Sequence, residues 1–253
     1  MSNPVPDFAP TEHASGFTFG SVNPLINDWI QCWNGVHPLL DIGCGNCLNA
    51  IKGIESGANV IATEVHEDSL EKIRKSFAQQ ERLSFMQLKL PAPFPFAEQS
   101  LSGILCSEVL HFLDHDELTQ SVRSLHQALV PNGKVAVTAL CEDFAPYQAL
   151  GFKDLKIKQR ETSPDRLMAL QHPLDWFEKS AARFSDPNTQ YLIELHRAHV
   201  PAFMNFFNPE QLAGLFEKEG FIIERIDSGA APYYPIWEHG EHDQVRLVAR
   251  KPL

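Results

Sequence analysis

The sequence lacks any long apolar run. Nowhere in its 253 residues do about eighteen apolar residues follow one another, the length that a membrane-spanning helix needs. Residues 1–10 contain neither a basic stretch nor an apolar run, so no secretory signal is expected either. These absences predict a soluble, cytoplasmic protein with no membrane partner.

Basic residues are scarce. The chain has 21 Lys and Arg against 32 Asp and Glu, which gives a formal net charge of -11. Such a balance repels phosphate backbones and anionic lipid surfaces. The composition therefore disfavours nucleic acid as a partner and favours a small-molecule ligand.

Cysteine is also limited to five residues, an odd number that predicts free thiols rather than a disulfide framework. Cys44 and Cys47 form a Cys-x-x-Cys pair, but no second Cys or His pair follows at zinc-finger spacing. Glu194, His196 and His199 are too loosely spaced for a zinc motif. We predict no metal site and assign Cys44 and Cys47 to the glycine loop described below.

What the chain does have is a regular alternation of elements. From residue 37 onward, short apolar runs alternate with amphipathic segments, the pattern of a parallel sheet covered by helices. Strands are predicted at 38–42, 59–65, 83–88, 101–107, 134–140, 221–226 and 244–249. Because no helix separates the last two strands, we expect an α/β fold: a doubly wound, seven-stranded, mostly parallel, Rossmann-like sheet whose last strand is antiparallel.

The strongest motif is Asp-Ile-Gly-Cys-Gly at residues 41–45, at the carboxyl end of the first predicted strand. Open α/β sheets place their ligand crevice there, and glycines let a ligand lie directly against the backbone. The N–H groups that follow Gly45 suit a carboxylate. Glu64, nineteen residues later, ends the second strand, where an acid can accept hydrogen bonds from both ribose hydroxyls. Loop and acid together indicate an adenosine-containing ligand.

Residues 39–45, 60–64, 104–111, 129–134, 206–212 and 219–221 resemble the motifs of the class I S-adenosylmethionine-dependent methyltransferases. The resemblance implies methyl transfer as the activity and S-adenosylmethionine as the cofactor. The cofactor site that it implies is formed by Asp41, Gly43, Cys44, Gly45, Asn46, Glu64, Leu88, Lys89, Leu90 and Ser107.

The chain departs from the family's pattern at three places. Cys47 replaces the third glycine of the loop, and Lys89 and Leu90 stand where an acid often meets the adenine amino group. The segment before the fourth strand reads Ser-Leu-Ser at 100–102 instead of Ser-Phe-Asp. We therefore expect backbone and apolar groups around residues 88–90 to contact the adenine.

Two alternatives stay open at this point. An NAD-dependent oxidoreductase would need a Gly-x-Gly-x-x-Gly loop, but Leu48 occupies the position of its third glycine. A non-catalytic, methyltransferase-like binding protein would be consistent with the three departures.

Because the resemblance covers only part of the chain, the chain divides into three predicted regions. Residues 37–141 and 208–253 form the predicted S-adenosylmethionine-binding methyltransferase core. Residues 1–36 are expected to form a helical segment over the cofactor mouth. Residues 142–207, rich in aromatic residues and mainly helical in periodicity, are expected to form a lid over the substrate.

Methyl transfer is an in-line displacement for which positioning supplies much of the rate, so a catalytic base is optional. His111 is the first candidate for a base and Glu108 the second, since both follow the fourth strand. The structural alternative is that His111 packs against the next helix and Glu108 bonds to the backbone. The aromatic insertion predicts a small, partly apolar methyl acceptor; its identity and the oligomeric state stay open.

Overall fold

A computed structural model describes residues 8–10, 17–144, 152–163, 167–182, 200–234 and 239–253, together with positions 185, 187, 190, 191, 194 and 197. At residues 8–10, 176, 177, 180 and 181 it describes the backbone alone. No helix within these residues is long and apolar enough to cross a membrane.

A seven-stranded sheet forms the centre of the molecule. In spatial order its strands are β10 (Ile222–Gly229), β11 (Gln244–Arg250), β7 (Leu129–Leu140), β6 (Leu101–Ser107), β3 (Leu39–Ile42), β4 (Val60–Glu64) and β5 (Leu83–Gln87). β11 is antiparallel to both of its neighbours, and the remaining pairings are parallel. This confirms the predicted mostly parallel sheet with an antiparallel last strand. The strand order reverses between β3 and β6, where such sheets leave a crevice.

Helices cover both faces of this sheet. They are α1 (Ile26–Ile30), α2 (Leu48–Glu55), α3 (Glu67–Ser76), α4 (His115–Ala128) and α7 (Pro209–Lys218). The insertion contains two further helices, α5 (Phe152–Thr162) and α6 (Leu174–Ala181). Successive residues of β3 pack in the hydrophobic cores on opposite faces of the sheet. Leu40 packs in the core with α4 and α7, whereas Leu39 packs in the core with α1 and α2. Both are fully buried, as the period of two in a strand requires.

Local sequence signals fix where the main helices begin. Asp114 and Glu117 form a capping box at the start of α4, because each side chain accepts a hydrogen bond from the other's backbone N–H. The Asn208 side chain caps α7 by accepting from the Glu210 N–H at 2.8 Å, and Pro209 occupies the first turn. These caps determine where α4 and α7 begin.

The insertion, which we predicted to be a mainly helical lid, contains strands as well as helices. Besides α5 and α6 it contains an antiparallel ribbon of β8 (Met168–Gln171) and β9 (Phe203–Phe206). Each strand is only four residues long, too short for its alternation to stand out against the helical pattern of the surrounding residues. The ribbon brings the end of the insertion back beside its beginning, where the Phe207 N–H donates to Leu140 O at 2.9 Å.

The N-terminal region also differs from the predicted helical segment. Its described residues form a short antiparallel pair, β1 (Phe8–Pro10) and β2 (Phe17–Phe19), and α1, which is five residues long. The aromatic and β-branched residues of β2 favour a strand. Trp29 of α1 is buried against the sheet rather than over the cavity described below.

A buried carboxylate fastens the insertion to the core. Glu142, directly after β7, is 1 % exposed. Its carboxylate receives Arg160 Nη2 at 2.6 Å, Lys156 Nζ at 2.8 Å and Asn208 Nδ2 at 3.0 Å. The first two belong to α5 and the third caps α7, so one side chain joins three segments.

Replacing Glu142 by alanine should lower the free energy of unfolding by about 2–4 kcal/mol, because it removes the shared partner of two cations and an amide. Urea unfolding followed by circular dichroism measures this. Asp143→Ala is the matched control: Asp143 also pairs with Lys156, at 2.9 Å, but its side chain is 53 % exposed. We expect the control to cost below about 1 kcal/mol, and equal losses in the two variants would contradict the anchoring role.

Candidate active site

A cavity of about 500 Å³ opens at the carboxyl ends of β3, β4 and β6. One part of its wall is the glycine loop with the ends of β4 and β5, namely Gly43, Cys44, Gly45, Asn46, Glu64, Leu88, Lys89 and Leu90. Another part is aromatic: Phe19, Phe112, Phe203 and Tyr233. Ser107 and Glu108, after β6, also line it. We call the first part the loop end and the second the aromatic end.

The glycine loop is held in a conformation that suits glycine. Gly43 has φ +70° and Gly45 has φ +51°, both in the left-handed region. A Cβ on Gly43 would lie 2.6 Å from Val109 Cγ2, and one on Gly45 would lie 3.0 Å from Thr18 Cγ2. The loop therefore packs directly against the residues after β6 on one side and against β2 on the other.

Cys47, in the position of the third glycine, is itself left-handed at φ +64° and directly precedes α2. Its Sγ lies 3.5 Å from Cys44 Sγ, and both thiols are buried and free. The hydrogen bond from Cys47, followed by burial, raises the pKa of the Cys44 thiol well above its usual range, which describes an unreactive pair. The described residues contain no group of three side chains suited to a metal; His196 and His199 lie outside them.

Glu64 reaches the cavity from the end of β4. The residue is 9 % exposed, and its Oε1 accepts a hydrogen bond from the Val65 N–H at 2.7 Å. This bond fixes the carboxylate beside the glycine loop, within the loop end.

Asn23 ties the N-terminal region to the same site, a role that the sequence did not suggest. Its Nδ2 donates to Ser107 Oγ and to Thr138 Oγ1, each at 2.9 Å, and its N–H donates to Asn49 Oδ1 at 2.8 Å. Asn46 Nδ2 in turn donates to Phe19 O at 2.7 Å. These bonds carry residues 17–23 across the cavity mouth.

Asp41 does not line the cavity, unlike the other nine residues predicted to bind cofactor. It is fully buried in β3, and neither carboxylate oxygen has a hydrogen-bond partner among the described groups. Burial first, and then the nearby charge of Glu64, raise the pKa of Asp41 to about 7, while the backbone at Ala50 opposes the rise.

The two predicted catalytic residues are placed differently. The 3₁₀ turn Leu110–Phe112 buries His111, 5 % exposed, and Phe112 lines the cavity instead. Burial lowers the pKa of His111 to about 3. His111 is thus not among the residues that line the cavity. Glu108 does line the cavity.

Glu108 has unusual surroundings. Its backbone is left-handed at φ +57°, and its N–H donates to Thr138 O at 2.9 Å. Gln244 Nε2 donates to Glu108 Oε1 and to the Tyr233 hydroxyl. Burial raises the pKa of Glu108, although hydrogen bonds from Tyr234, Gln244 and Thr138 and the charge of Arg246 oppose that rise.

Most of the insertion's described aromatics do not reach the cavity. Phe144, Phe152, Phe206 and Phe207 are buried in the hydrophobic cores, and only Phe203 among the described ones lines it. The side chains of Tyr147, Trp176, Phe177 and Phe184 lie outside the described residues. The remaining aromatic residues of the wall come from elsewhere: Phe17 and Phe19 from β2, Phe112 from the turn after β6, and Tyr233 from the loop before β11.

Comparison with known proteins agrees with this geometry. The fold and the cavity at its switch point are those of a Rossmann-like α/β methyltransferase. A family model described as a methyltransferase domain matches residues 39–133, the part of the chain that contains the glycine loop and Glu64. This match favours methyl transfer with S-adenosylmethionine as the cofactor over the dehydrogenase and the non-catalytic alternatives.

Solved structures share this fold at low sequence identity. An S-adenosylmethionine-dependent methyltransferase from Methanosarcina mazei has a TM-score of 0.63 at 12 % identity, over 92 % of this chain and 99 % of that one. A second, from Mesorhizobium loti, has a TM-score of 0.56 at 15 % identity, over 85 % and 90 %.

A 1,6-didemethyltoxoflavin-N1-methyltransferase from Burkholderia thailandensis, solved with 1,6-didemethyltoxoflavin and S-adenosylhomocysteine, has a TM-score of 0.52 at 14 % identity, over 91 % and 79 %. The comparison with curated proteins gave no match.

Proposed function

We propose that this enzyme transfers a methyl group from S-adenosylmethionine to a small, partly apolar molecule bound at the aromatic end. The observation that carries the proposal is that one cavity of about 500 Å³ is lined both by the glycine loop with Glu64 and by Phe112, Phe203 and Tyr233. A pocket of this size and lining suits a small ligand beside the cofactor.

The residues of the loop end fit the cofactor. The left-handed backbone at Gly43 and Gly45 brings the loop close to the residues after β6 and to β2. The N-terminus of α2, which favours an anionic group such as a carboxylate, directly follows the loop. The Glu64 carboxylate is the acceptor for the ribose hydroxyls, and Leu88 and Leu90 supply apolar contacts for the adenine. Asp41 lies beneath the loop and affects the cofactor only through the position of the loop.

When bound, S-adenosylmethionine supplies a methyl group on a positively charged sulfur. As the acceptor's lone pair forms a bond to the methyl carbon, the electron pair of the carbon–sulfur bond stays on the sulfur. The aromatic wall holds the acceptor in line for attack and excludes water. Glu108, rather than His111, accepts the proton that the acceptor loses, since it is the one of the two that lines the cavity.

We assign the flanking regions in the same terms. Residues 17–23 cover the cavity mouth through Asn23 and Phe19, and residues 142–207 contribute Phe203 with its neighbours Pro201 and Ala202 to the acceptor side. Residues 37–141 and 208–253 provide the core that holds the cofactor.

Glu64→Ala should weaken S-adenosylhomocysteine binding by about 1.5–3 kcal/mol, the scale for losing hydrogen bonds to a charged group. Isothermal titration calorimetry measures the dissociation constant. Glu55→Ala is a matched control, because Glu55 is an exposed acid on α2 whose partner is Lys52. An unchanged dissociation constant in the Glu64 variant would remove the ribose assignment.

The proposed function itself is tested by a crystal structure with S-adenosylhomocysteine. We expect the ligand in the loop end and open space beside its sulfur bounded by Phe112, Phe203 and Tyr233. A ligand whose sulfur points away from the aromatic end would contradict the proposed acceptor site.

A further inference from the structure

The charged groups of the cavity are unevenly distributed. Lys89 and His66 line the loop end, close to Leu88 and Val65. At the aromatic end the described lining residues include two acids, Glu108 and Glu117, and no Lys or Arg. An acceptor bound there would lie against a wall whose charged groups are negative rather than positive.

Of these two acids, Glu108 is the one available to a ligand. The Glu117 carboxylate is committed to the start of α4, where its Oε2 accepts the Asp114 N–H at 2.8 Å. Glu108 stands instead directly after Ser107, in the segment that packs against the glycine loop. A Cβ on Gly43 would lie 3.9 Å from Ser107 O and 2.6 Å from Val109. Glu108 therefore lies at the junction of the two ends.

The Glu108 carboxylate receives hydrogen bonds but forms no ion pair with a Lys or Arg among the described residues. Among the described residues, the basic group within ion-pair distance of its carboxylate is His111, with Nδ1 3.8 Å from Oε2, and burial keeps that imidazole neutral. The Arg246 guanidinium donates hydrogen bonds to other acceptors: its Nε donates to Gln244 Oε1 at 3.1 Å and its Nη2 donates to Ala230 O at 2.6 Å. A buried carboxylate in this position gains from a cationic or N–H-bearing ligand and repels an anion.

We propose, on the basis of the proposed function, that the methyl acceptor is an amine-type nitrogen compound. Its N–H group, neutral or as an ammonium, contacts Glu108, and its apolar skeleton lies against Phe112, Phe203 and Tyr233. Carboxylates and phosphates are rejected at this end. Gln244 serves as the positioning residue, since it donates to both Glu108 and the Tyr233 hydroxyl.

The same nitrogen undergoes the transfer. Its lone pair forms the new bond to the methyl carbon, the carbon–sulfur bond breaks with its electron pair left on sulfur, and the nitrogen proton passes to Glu108. An amine that arrives as an ammonium first gives one proton to solvent. Charge and atoms balance without a further reactant.

The test uses two ligands that differ at the transfer point. S-adenosylhomocysteine carries a neutral sulfur there, whereas sinefungin carries an ammonium group in the place of the methyl group. Calorimetry on the full chain gives both dissociation constants for the unchanged protein, Glu108→Gln and the control Glu117→Gln, in which glutamine still permits the capping box.

We expect sinefungin to bind the unchanged protein and the Glu117 variant at least about tenfold more tightly than S-adenosylhomocysteine, the scale of one charge-assisted contact. In Glu108→Gln the ratio should fall to about one, with S-adenosylhomocysteine binding kept as proof of a folded site. A ratio that the Glu108 change leaves intact, or a carboxylate found as the methylated acceptor, would overturn the inference. If S-adenosylhomocysteine fails to bind the unchanged protein, the proposed function fails first.

Discussion

Replacing Gly43 by valine should weaken S-adenosylhomocysteine binding by more than about 100-fold. Two costs act together: a β-branched residue is strained at φ +70°, and its Cβ would lie 2.6 Å from Val109 Cγ2. Strain and overpacking of this kind each cost about 1–3 kcal/mol, which the loop relieves by moving out of its binding conformation.

The matched control is Gly214→Val in α7, because a Cβ there would meet nothing within 4 Å and the backbone is not left-handed. Calorimetry gives the dissociation constants, and circular dichroism reports whether each variant is folded. The double variant Gly43→Val, Val109→Ala should recover part of the affinity, since it removes the clash and keeps the strain. Normal binding by a folded Gly43→Val would place the cofactor elsewhere.

The structure changes the reason for this sensitivity. From the sequence alone, a side chain at Gly43 or Gly45 would be expected to collide with the ligand. In the structure, the Cβ positions point at protein instead, toward Val109 and Thr18. The glycines are needed because the loop is enclosed between two segments, and this enclosure is a tertiary property that no local pattern reveals.

The loop end of the cavity was predictable because its parts are ends of consecutive strands. In a parallel sheet those ends meet at one edge, so the positions of Gly43, Gly45 and Glu64 followed from strand assignments. The groups around Glu108 were not predictable in this way. Tyr233 and Gln244 reach the site because β11 lies beside β7, whereas Asn23 comes from the opposite end of the chain and reaches it through Ser107 and Thr138.

Short turns explain the remaining errors. His111 and Phe112 are neighbours in a single 3₁₀ turn, and a rotation of about 120° per residue decides which of them faces the cavity. The sequence places both near the site and cannot choose between them. The β8–β9 ribbon of the insertion was missed for a related reason, since strands of four residues give too little periodicity.

Asp41→Asn should change how stability depends on pH. The folded-state pKa of Asp41 is about 7, raised from 3.8, so between these values the folded protein holds a proton that the unfolded chain releases. The wild-type protein therefore loses stability from this group as pH rises from about 4 to about 7, and the loss is complete above that range. A pKa shift of about three units corresponds to a change of about 4 kcal/mol in the free energy of unfolding.

The measurement is the difference in unfolding free energy between the two proteins, from urea titrations at pH 4.5 and pH 8. Between these two pH values the difference should change by about 3 kcal/mol in favour of the Asp41→Asn variant at the higher pH, because any pH-independent effect of the substitution cancels. Because the charge of Glu64 is the second cause of the raised pKa, the same comparison in a Glu64→Gln background should give a smaller shift. A difference that stays constant between the two pH values would mean that Asp41 is ionised in the folded protein and that its charge is compensated there. Asp41 would then again be a candidate for direct contact with the cofactor.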